Sequence, residues 1–200
     1  MKIFTYVIPS DTGLAPNPYG GVMSLSVCKP QIRRQAQVGD WICGIGSACT
    51  RTGEDYRGRL VYIMRVTEKM TMKKYDGWAK KNCRIKIPSL KSEERVVGDS
   101  LYDFSGGKKP KIRKSLHGES SRKNDLSGEY TLLSEEFIYF GEEAIIIPEY
   151  VKELAYQARG HRSNANDEIK FQFMRYKNFL FKKYGNMALV GEPQIKKTAF

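Results

Sequence analysis

Several stretches of the chain alternate or concentrate apolar residues in the way that β-strands do. The clearest is Arg59 to Thr67, in which apolar side chains fall on both faces of an extended segment. Trp41 to Ile45 is a short continuous apolar run, typical of a strand that is covered on both sides. Further strands are predicted over Lys2–Ile8, Val22–Cys28, Ile85–Ile87, Arg95–Val97, Tyr130–Leu133, Phe137–Phe140 and Ala144–Ile147.

Helical spacing predicts four helices, two of them near the end of the sequence. One or two turns are expected over Gln31–Ala36, since Pro30 suits the first position of a helix. Met70–Ala79 is a second candidate. Towards the end, a helix opened by Pro148 has one apolar face and stops at Gly160, and another covers Ile169–Tyr184. The predicted loops are Pro9–Gly21 and a long basic segment at about residues 103–129.

The charge of the chain indicates its class of partner. Lysine and arginine number 34 against 22 acidic residues, so the net charge is +12. Such an excess favours nucleic acid or a nucleotide as partner, although a solvated basic surface would also account for it. No apolar run is long enough for a membrane helix. The first residues lack the apolar stretch of a signal peptide, so we expect a cytoplasmic location.

Cysteine usage gives no reason to expect a metal. The four cysteines have neither the density of a disulfide framework nor the spacing of a zinc pair. We therefore expect buried thiols, and neither a metal nor another cofactor.

One combination of motifs resembles a known family. A basic segment, Lys29–Gln37, precedes Gly39-Asp40 and the apolar run from Trp41, as in the core of the small base-binding β-barrels of the PUA, EVE and YTH type. The order of segments along most of the chain is similar to the nucleotide modification associated domain 2 family of phages and bacteria. The segments that carry this resemblance are Lys2–Ile8, Asp11–Pro18, Val27–Arg33, Gly39–Trp41, Phe137–Gly141 and Arg159–Arg162.

The resemblance implies a fold and a context, but no catalytic residues. We expect one α+β domain over residues 1–200. It would be a PUA-like, mostly antiparallel and partly open β-barrel with flanking helices and two C-terminal helices. The implied context is DNA-base modification, so DNA is expected as partner ahead of RNA, together with partner proteins of a modification or defence system.

Six residues are candidates for contacting a base. Trp41 could stack on it or belong to the core, and Asn17 could read its edge or serve a turn. The strand-end glycines and serine could present backbone N–H groups or merely form a turn, and His161 could bond a base edge. The candidates are Asn17, Trp41, Gly44, Gly46, Ser47 and His161.

Five cations are candidates for contacting phosphates. Arg159 and Arg162 follow the end of a predicted helix and would equally complement its dipole. The other three would equally serve solubility. The candidates are Lys29, Arg33, Arg34, Arg159 and Arg162.

Three functions are consistent with these residues. The favoured one is a module that recognises a base, expected to be a modified one, in DNA or as a nucleotide. The alternative is an enzyme of the base-modification pathway that acts on a nucleotide or a base in DNA, with His161 and Asp11 as acid and base. No dedicated catalytic motif supports it. A third is a protein-interaction accessory without affinity for nucleic acid.

Overall fold

The computed structural model describes residues 1–48, 53–90, 95–107, 109–115, 117–155, 160–164 and 166–194. The helices are α1 (Pro30–Gln35), α2 (Met72–Asn82), α3 (Arg122–Leu126) and α4 (Asp167–Tyr184), and 3-10 turns cover Arg84–Lys86, Glu119–Ser121, Gly141–Glu143 and Glu149–Leu154. The strands are β1 (Ile3–Ile8), β2 (Met23–Leu25), β3 (Trp41–Gly46), β4 (Arg59–Arg65), β5 (Glu68–Thr71), β6 (Tyr102–Asp103), β7 (Lys111–Ile112), β8 (Tyr130–Ser134), β9 (Glu136–Tyr139), β10 (Ile145–Ile146), β11 (Arg162–Asn164) and β12 (Ala188–Leu189).

The strands form one large sheet and two small ones. The main sheet has the order β11-β1-β3-β4-β9-β12, with β10 also paired to β4. Strand β1 runs parallel to β3, and β9 runs parallel to β12, whereas the other pairs are antiparallel. The second sheet has the order β2-β8-β5, and β6 pairs with β7. The predicted mixed α+β class is confirmed, but the described strands form open sheets and not a closed barrel.

The two faces of the main sheet bury different cores. Because side chains alternate along a strand, Phe4 and Tyr6 of β1 point to the second sheet, while Ile3 points the other way. Helix α4 covers that other face with Phe173 and Leu180. Each face therefore contributes to a separate apolar cluster.

Helix α4 is bounded by the signals that its sequence carries. The Asn166 side chain accepts a hydrogen bond from the backbone N–H of Glu168 at 2.8 Å, and Gly185 follows the last residue at φ +85°. In the part of the chain that the structure describes, neither this helix nor a shorter one is long and apolar enough to cross a bilayer.

Three sequence predictions are wrong in detail. Ile85–Ile87 is not a strand but lies in a 3-10 turn, because the fully buried Lys86 turns inward and its ammonium donates to three oxygens of Asn17 and Val22. Residues 95–97 are turns. The helix predicted from Pro148 is a 3-10 segment, interrupted by the non-helical backbone of Val151.

The basic segment at residues 103–129 is more ordered than the sequence predicts. Its described part contains β7, a 3-10 turn and α3. Its ties to the rest of the fold include the completely buried Asp125 side chain, which accepts from the Cys28 N–H, and Arg113, which forms an ion pair with Asp76.

A substitution at Gly46 tests how closely the chain is packed at the end of β3. A Cβ atom there would lie 2.3 Å from the backbone carbonyl oxygen of Tyr56. We expect Gly46→Ala to lower the free energy of unfolding by about 1–3 kcal/mol, as overpacked sites do. Gly77 in α2 is a matched control, since a Cβ there meets nothing within 4 Å. Gly77→Ala should raise stability by about 0.5–1 kcal/mol. Urea unfolding measures both changes, and a Gly46→Ala protein as stable as the parent would contradict the packing account.

Candidate ligand cavity

A cavity of about 640 Å³ opens beside the first strand of the main sheet. Ligand sites typically measure about 300–1,000 Å³ and combine apolar walls with a few polar groups. This cavity fits that description, because Ile8, Leu14 and Val97 line it together with polar side chains. The polar and aromatic groups at its surface include Tyr6, Cys28, Lys29, Gln31, His117, Asn124 and His161.

An unusual turn before α1 directs two side chains into the cavity. Cys28 and Lys29 have φ values of 57° and 37°, a left-handed conformation that residues other than glycine rarely adopt. Two hydrogen bonds hold the turn: the Cys28 N–H donates to Asp125 Oδ1, and Arg33 Nε donates to the Cys28 carbonyl, each at 2.8 Å. Pro30 then begins the helix. The thiol and the lysine thus reach the cavity through a constrained backbone.

Lys29 places a cation at the cavity wall. Its Nζ lies 4.4 Å from the centroid of the Tyr6 ring and donates a long hydrogen bond of 3.3 Å to the Val7 carbonyl. Burial lowers the pKa of Lys29. Among the described residues, no carboxylate forms an ion pair with it. The cavity therefore contains a partly desolvated cation without an ionic partner.

His161 lines the cavity from the segment before β11. Its Nε2 lies 3.3 Å from Gln35 Oε1 of α1, and its ring centroid is 6.0 Å from that of Phe4. Burial, and then the charge of Lys29, lower the pKa of His161 below its ordinary value of 6.5. The imidazole is therefore neutral at pH 7, with one donor and one acceptor nitrogen.

The second histidine of the chain is paired with an acid. His117 Nε2 lies 2.8 Å from Asp125 Oδ2, which also accepts a hydrogen bond from Tyr102 Oη at 2.9 Å. Burial alone would raise the pKa of the Asp125 carboxyl. Hydrogen bonds from His117, the Cys28 N–H and Tyr102 outweigh that effect, so its pKa is lowered. Asp125 is an ionised carboxylate behind the cavity wall.

The cations predicted to contact phosphates separate into three groups. Lys29 reaches the cavity, whereas Arg34 and Arg162 are exposed. The structure corrects the prediction for Arg33, which is completely buried and donates to main-chain carbonyls of Cys28, Asp125 and Tyr130. Its guanidinium therefore stabilises the fold and is not available to a phosphate. Arg159 lies outside the described residues.

The predicted stacking residue and the glycine loop lie away from the cavity. Trp41 is 2% exposed and packs edge-on against Phe173 and Phe181 on the opposite face of the sheet. Gly44 and Gly46 are buried strand residues without room for a side chain. Ser47 is half-buried after them, and its carbonyl accepts from the Tyr56 N–H. None of Trp41, Gly44, Gly46 and Ser47 lines the cavity.

Asn17 and Asp11 use their polar atoms within the fold. Asn17 Nδ2 donates to the Val97 carbonyl at 2.8 Å, and its Oδ1 accepts from the Lys86 ammonium at 2.7 Å. Asp11 is 3% exposed, and its Oδ2 accepts from Tyr139 Oη at 2.7 Å. Burial raises the pKa of Asp11 to about 6. Of the predicted acid and base pair, the structure brings only His161 to the cavity.

Sequence reasoning missed much of the cavity. Tyr6 looks like an ordinary strand residue, and Cys28 like a buried thiol. The one available signal was that the chain has only two histidines. Both line this cavity, although 44 positions separate His117 from His161.

The structure is an α+β fold with a cavity lined by a lysine and two histidines. The family model described as nucleotide modification associated domain 2 matches residues 1–199. The chain therefore belongs to that family, which confirms the resemblance noted in its sequence. Neither a curated protein nor a solved structure gives a match.

The raised pKa of Asp11 predicts a pH-dependent stability. The folded chain holds this proton up to about pH 6, whereas an unfolded aspartate releases it near its ordinary pKa of 3.8. Rising pH between these values therefore destabilises the fold, by up to about 3 kcal/mol from this group. We expect Asp11→Asn to become more stable relative to the parent between pH 4.5 and pH 7. Urea unfolding at both values measures the difference, and a difference independent of pH would contradict the assignment.

Proposed function

We propose that the chain binds a nucleotide, or a base displaced from DNA, in this cavity and recognises a modified base there. The family to which it belongs is associated with nucleotide modification. The proposal includes the finer expectation from sequence, that the domain is related to the PUA, EVE and YTH base-binding modules. It is a binding module that serves modified DNA or its precursors.

The observation that carries this proposal is the cation at the cavity wall. An ammonium that has left bulk water without gaining a carboxylate is stabilised by an anionic ligand. Lys29 Nζ has three donors, and the long bond to the Val7 carbonyl uses one of them. A phosphate oxygen within the cavity would satisfy the others.

The remaining polar groups suit the edge of a base. The neutral His161 offers a donor and an acceptor, and the amides of Gln31 and Asn124 offer both as well. Apolar side chains such as Ile8 and Val97 supply contact surface between these groups. This combination fits an uncharged heterocycle that carries a phosphate.

Exposed arginines extend the charge beyond the cavity. Gln35, which contacts His161, directly follows Arg34 in α1, and Arg162 directly follows His161. Both arginine side chains are exposed. Arg34 donates one hydrogen bond to the Ser127 carbonyl and Arg162 forms an exposed ion pair with Glu153, so each guanidinium keeps donors that can contact a phosphate backbone outside the cavity. They support binding of a polynucleotide whose displaced base occupies the cavity.

One observation favours the alternative, an enzyme of the same pathway. His161 faces the cavity with a lowered pKa and is therefore in its basic form at neutral pH. Asp11 does not accompany it. An enzyme would have to recruit another acid.

The first prediction of the proposal concerns the ligand. We expect a nucleoside 5′-monophosphate with a modified pyrimidine to bind more tightly than its unmodified counterpart, by 10-fold or more, in calorimetric titrations. We also expect a preference for duplexes that carry the same modified base, retained at high salt. The affinity for the duplex should fall as salt rises, because phosphate contacts release counterions.

The same incubations separate the three functions. Product analysis by chromatography would reveal turnover and establish the enzyme instead. Binding that depends on salt but not on the base would leave only a basic surface. No binding to nucleotide or DNA would overturn the proposal and favour the protein-interaction accessory.

The second prediction isolates Lys29. We expect Lys29→Met to weaken binding of the monophosphate by about 10–100-fold, because a charged hydrogen bond contributes about 1.5–3 kcal/mol, while binding of the uncharged nucleoside changes little. Lys73→Met is the matched control, since it removes the same charge from an exposed position of α2. It should leave both affinities unchanged. Equal losses for monophosphate and nucleoside, or the same loss in the control, would contradict the role of Lys29.

A further inference from the structure

Three side chains of different chemistry converge behind the cavity wall. They are Cys28 from the turn before α1, His117 from the basic segment and Asp125 from α3. One sulfur, one ring nitrogen and one carboxylate oxygen all lie within 4.8 Å of one another. Cys28 and His117 also line the cavity, whereas the Asp125 side chain is fully buried.

We infer that Cys28, His117 and Asp125 form a site for a zinc ion, with its fourth coordination position open to the cavity. Thiolate and imidazole are ligands that select zinc over magnesium or calcium. Sites with three protein ligands and one open position are typical of catalytic zinc, whereas structural zinc has four. This inference goes beyond the proposed function and does not depend on it.

The distances require only a small contraction. Zinc bonds of about 2.0–2.3 Å place the ligand atoms of a tetrahedron about 3.3–3.8 Å apart. The three atoms must therefore approach one another by about 1.5 Å at most. His117 and Asp125 are already in contact at 2.8 Å, and a metal would separate them slightly as it replaces the shared proton.

Groups around the cluster hold the ligands as second-layer partners do in metal sites. Tyr102 Oη and the Cys28 N–H donate to the two oxygens of the Asp125 carboxylate. The Ser115 hydroxyl accepts from the backbone N–H of His117 at 3.3 Å. The carboxylate and the main chain of His117 are thus held before a metal arrives.

A free nucleophilic cysteine is the competing account of the same cluster. It needs a thiolate near neutral pH. Burial, and then the charge of Asp125, raise the pKa of the Cys28 thiol to about 11, which makes it a poor nucleophile. Zinc instead displaces the thiol proton to solvent on binding and gains a thiolate ligand. Arg33 and Lys29, which lie near the sulfur, favour the ionised thiolate.

The test measures metal binding directly on the full chain. After treatment with a chelator, the protein is titrated with Zn²⁺ and, separately, with Co²⁺ as a spectroscopic probe. We expect one zinc per chain by elemental analysis, a thiolate-to-cobalt charge-transfer band and a higher melting temperature with zinc. Cys28→Ser and His117→Ala should each weaken zinc binding by 10-fold or more and remove the thermal shift.

Cys83→Ser is the matched control, because Cys83 is a half-buried thiol at the end of α2, outside the cluster. It should bind zinc as the parent does. Cys28→Ser retains the backbone N–H that bonds Asp125, and its melting temperature without metal checks that it folds.

Two results would overturn the site: no stoichiometric zinc in the parent, or equal binding by Cys28→Ser. Rapid alkylation of Cys28 at neutral pH, faster than that of Cys83 in the metal-free protein, would establish the nucleophile instead. Nucleotide affinity enters none of these readouts, so this inference and the proposed function can fail separately.

Discussion

The buried guanidinium of Arg33 connects the parts of the chain that form the cavity. It donates to the carbonyls of Cys28, Asp125 and Tyr130, and thereby joins the turn before α1 to α3 and to β8. Its planar group fits against Gly128, where a Cβ atom would lie 2.2 Å from Nη2. A lysine could not replace it, because an ammonium lacks the fixed fork of donors that reaches three separate carbonyls.

The site occupies the face of the main sheet that the C-terminal helix does not cover. Helix α4 covers one face with aromatic and aliphatic side chains, and Trp41 packs in the same apolar cluster. On the other face the second sheet packs over part of the surface, and the loop after β1 and the turn before α1 enclose the remainder. The cavity is therefore a consequence of unequal coverage of one sheet.

The longer strands β1, β3, β4 and β8 and helix α4 were predictable, because burial imposes period-2 and period-3.6 patterns on their sequences, whereas strands as short as β7 and β12 show no period. Arg33 was not, since a basic residue in a basic segment is ordinarily exposed, and its burial depends on the carbonyls of Asp125 and Tyr130, which lie 92 and 97 positions further along the chain. Trp41 was ambiguous for the opposite reason: an aromatic residue serves a core or a pocket equally well. The meeting of Cys28 with Asp125 is a tertiary contact across 97 positions, and the basic segment that supplies Asp125 carries no periodicity to reveal it.

The left-handed backbone of Cys28 and Lys29 lowers the stability of the fold, while their side chains supply polar groups to the cavity. Each holds a side chain in a backbone conformation that glycine adopts without strain, at a penalty of about 1–2 kcal/mol per residue. Glycine would therefore relax the turn while removing the thiol or the ammonium. Selection or engineering for thermal stability alone would favour glycine at both positions. It would also remove the thiol and the ammonium from the cavity lining, so stability and the polar character of the cavity oppose each other here.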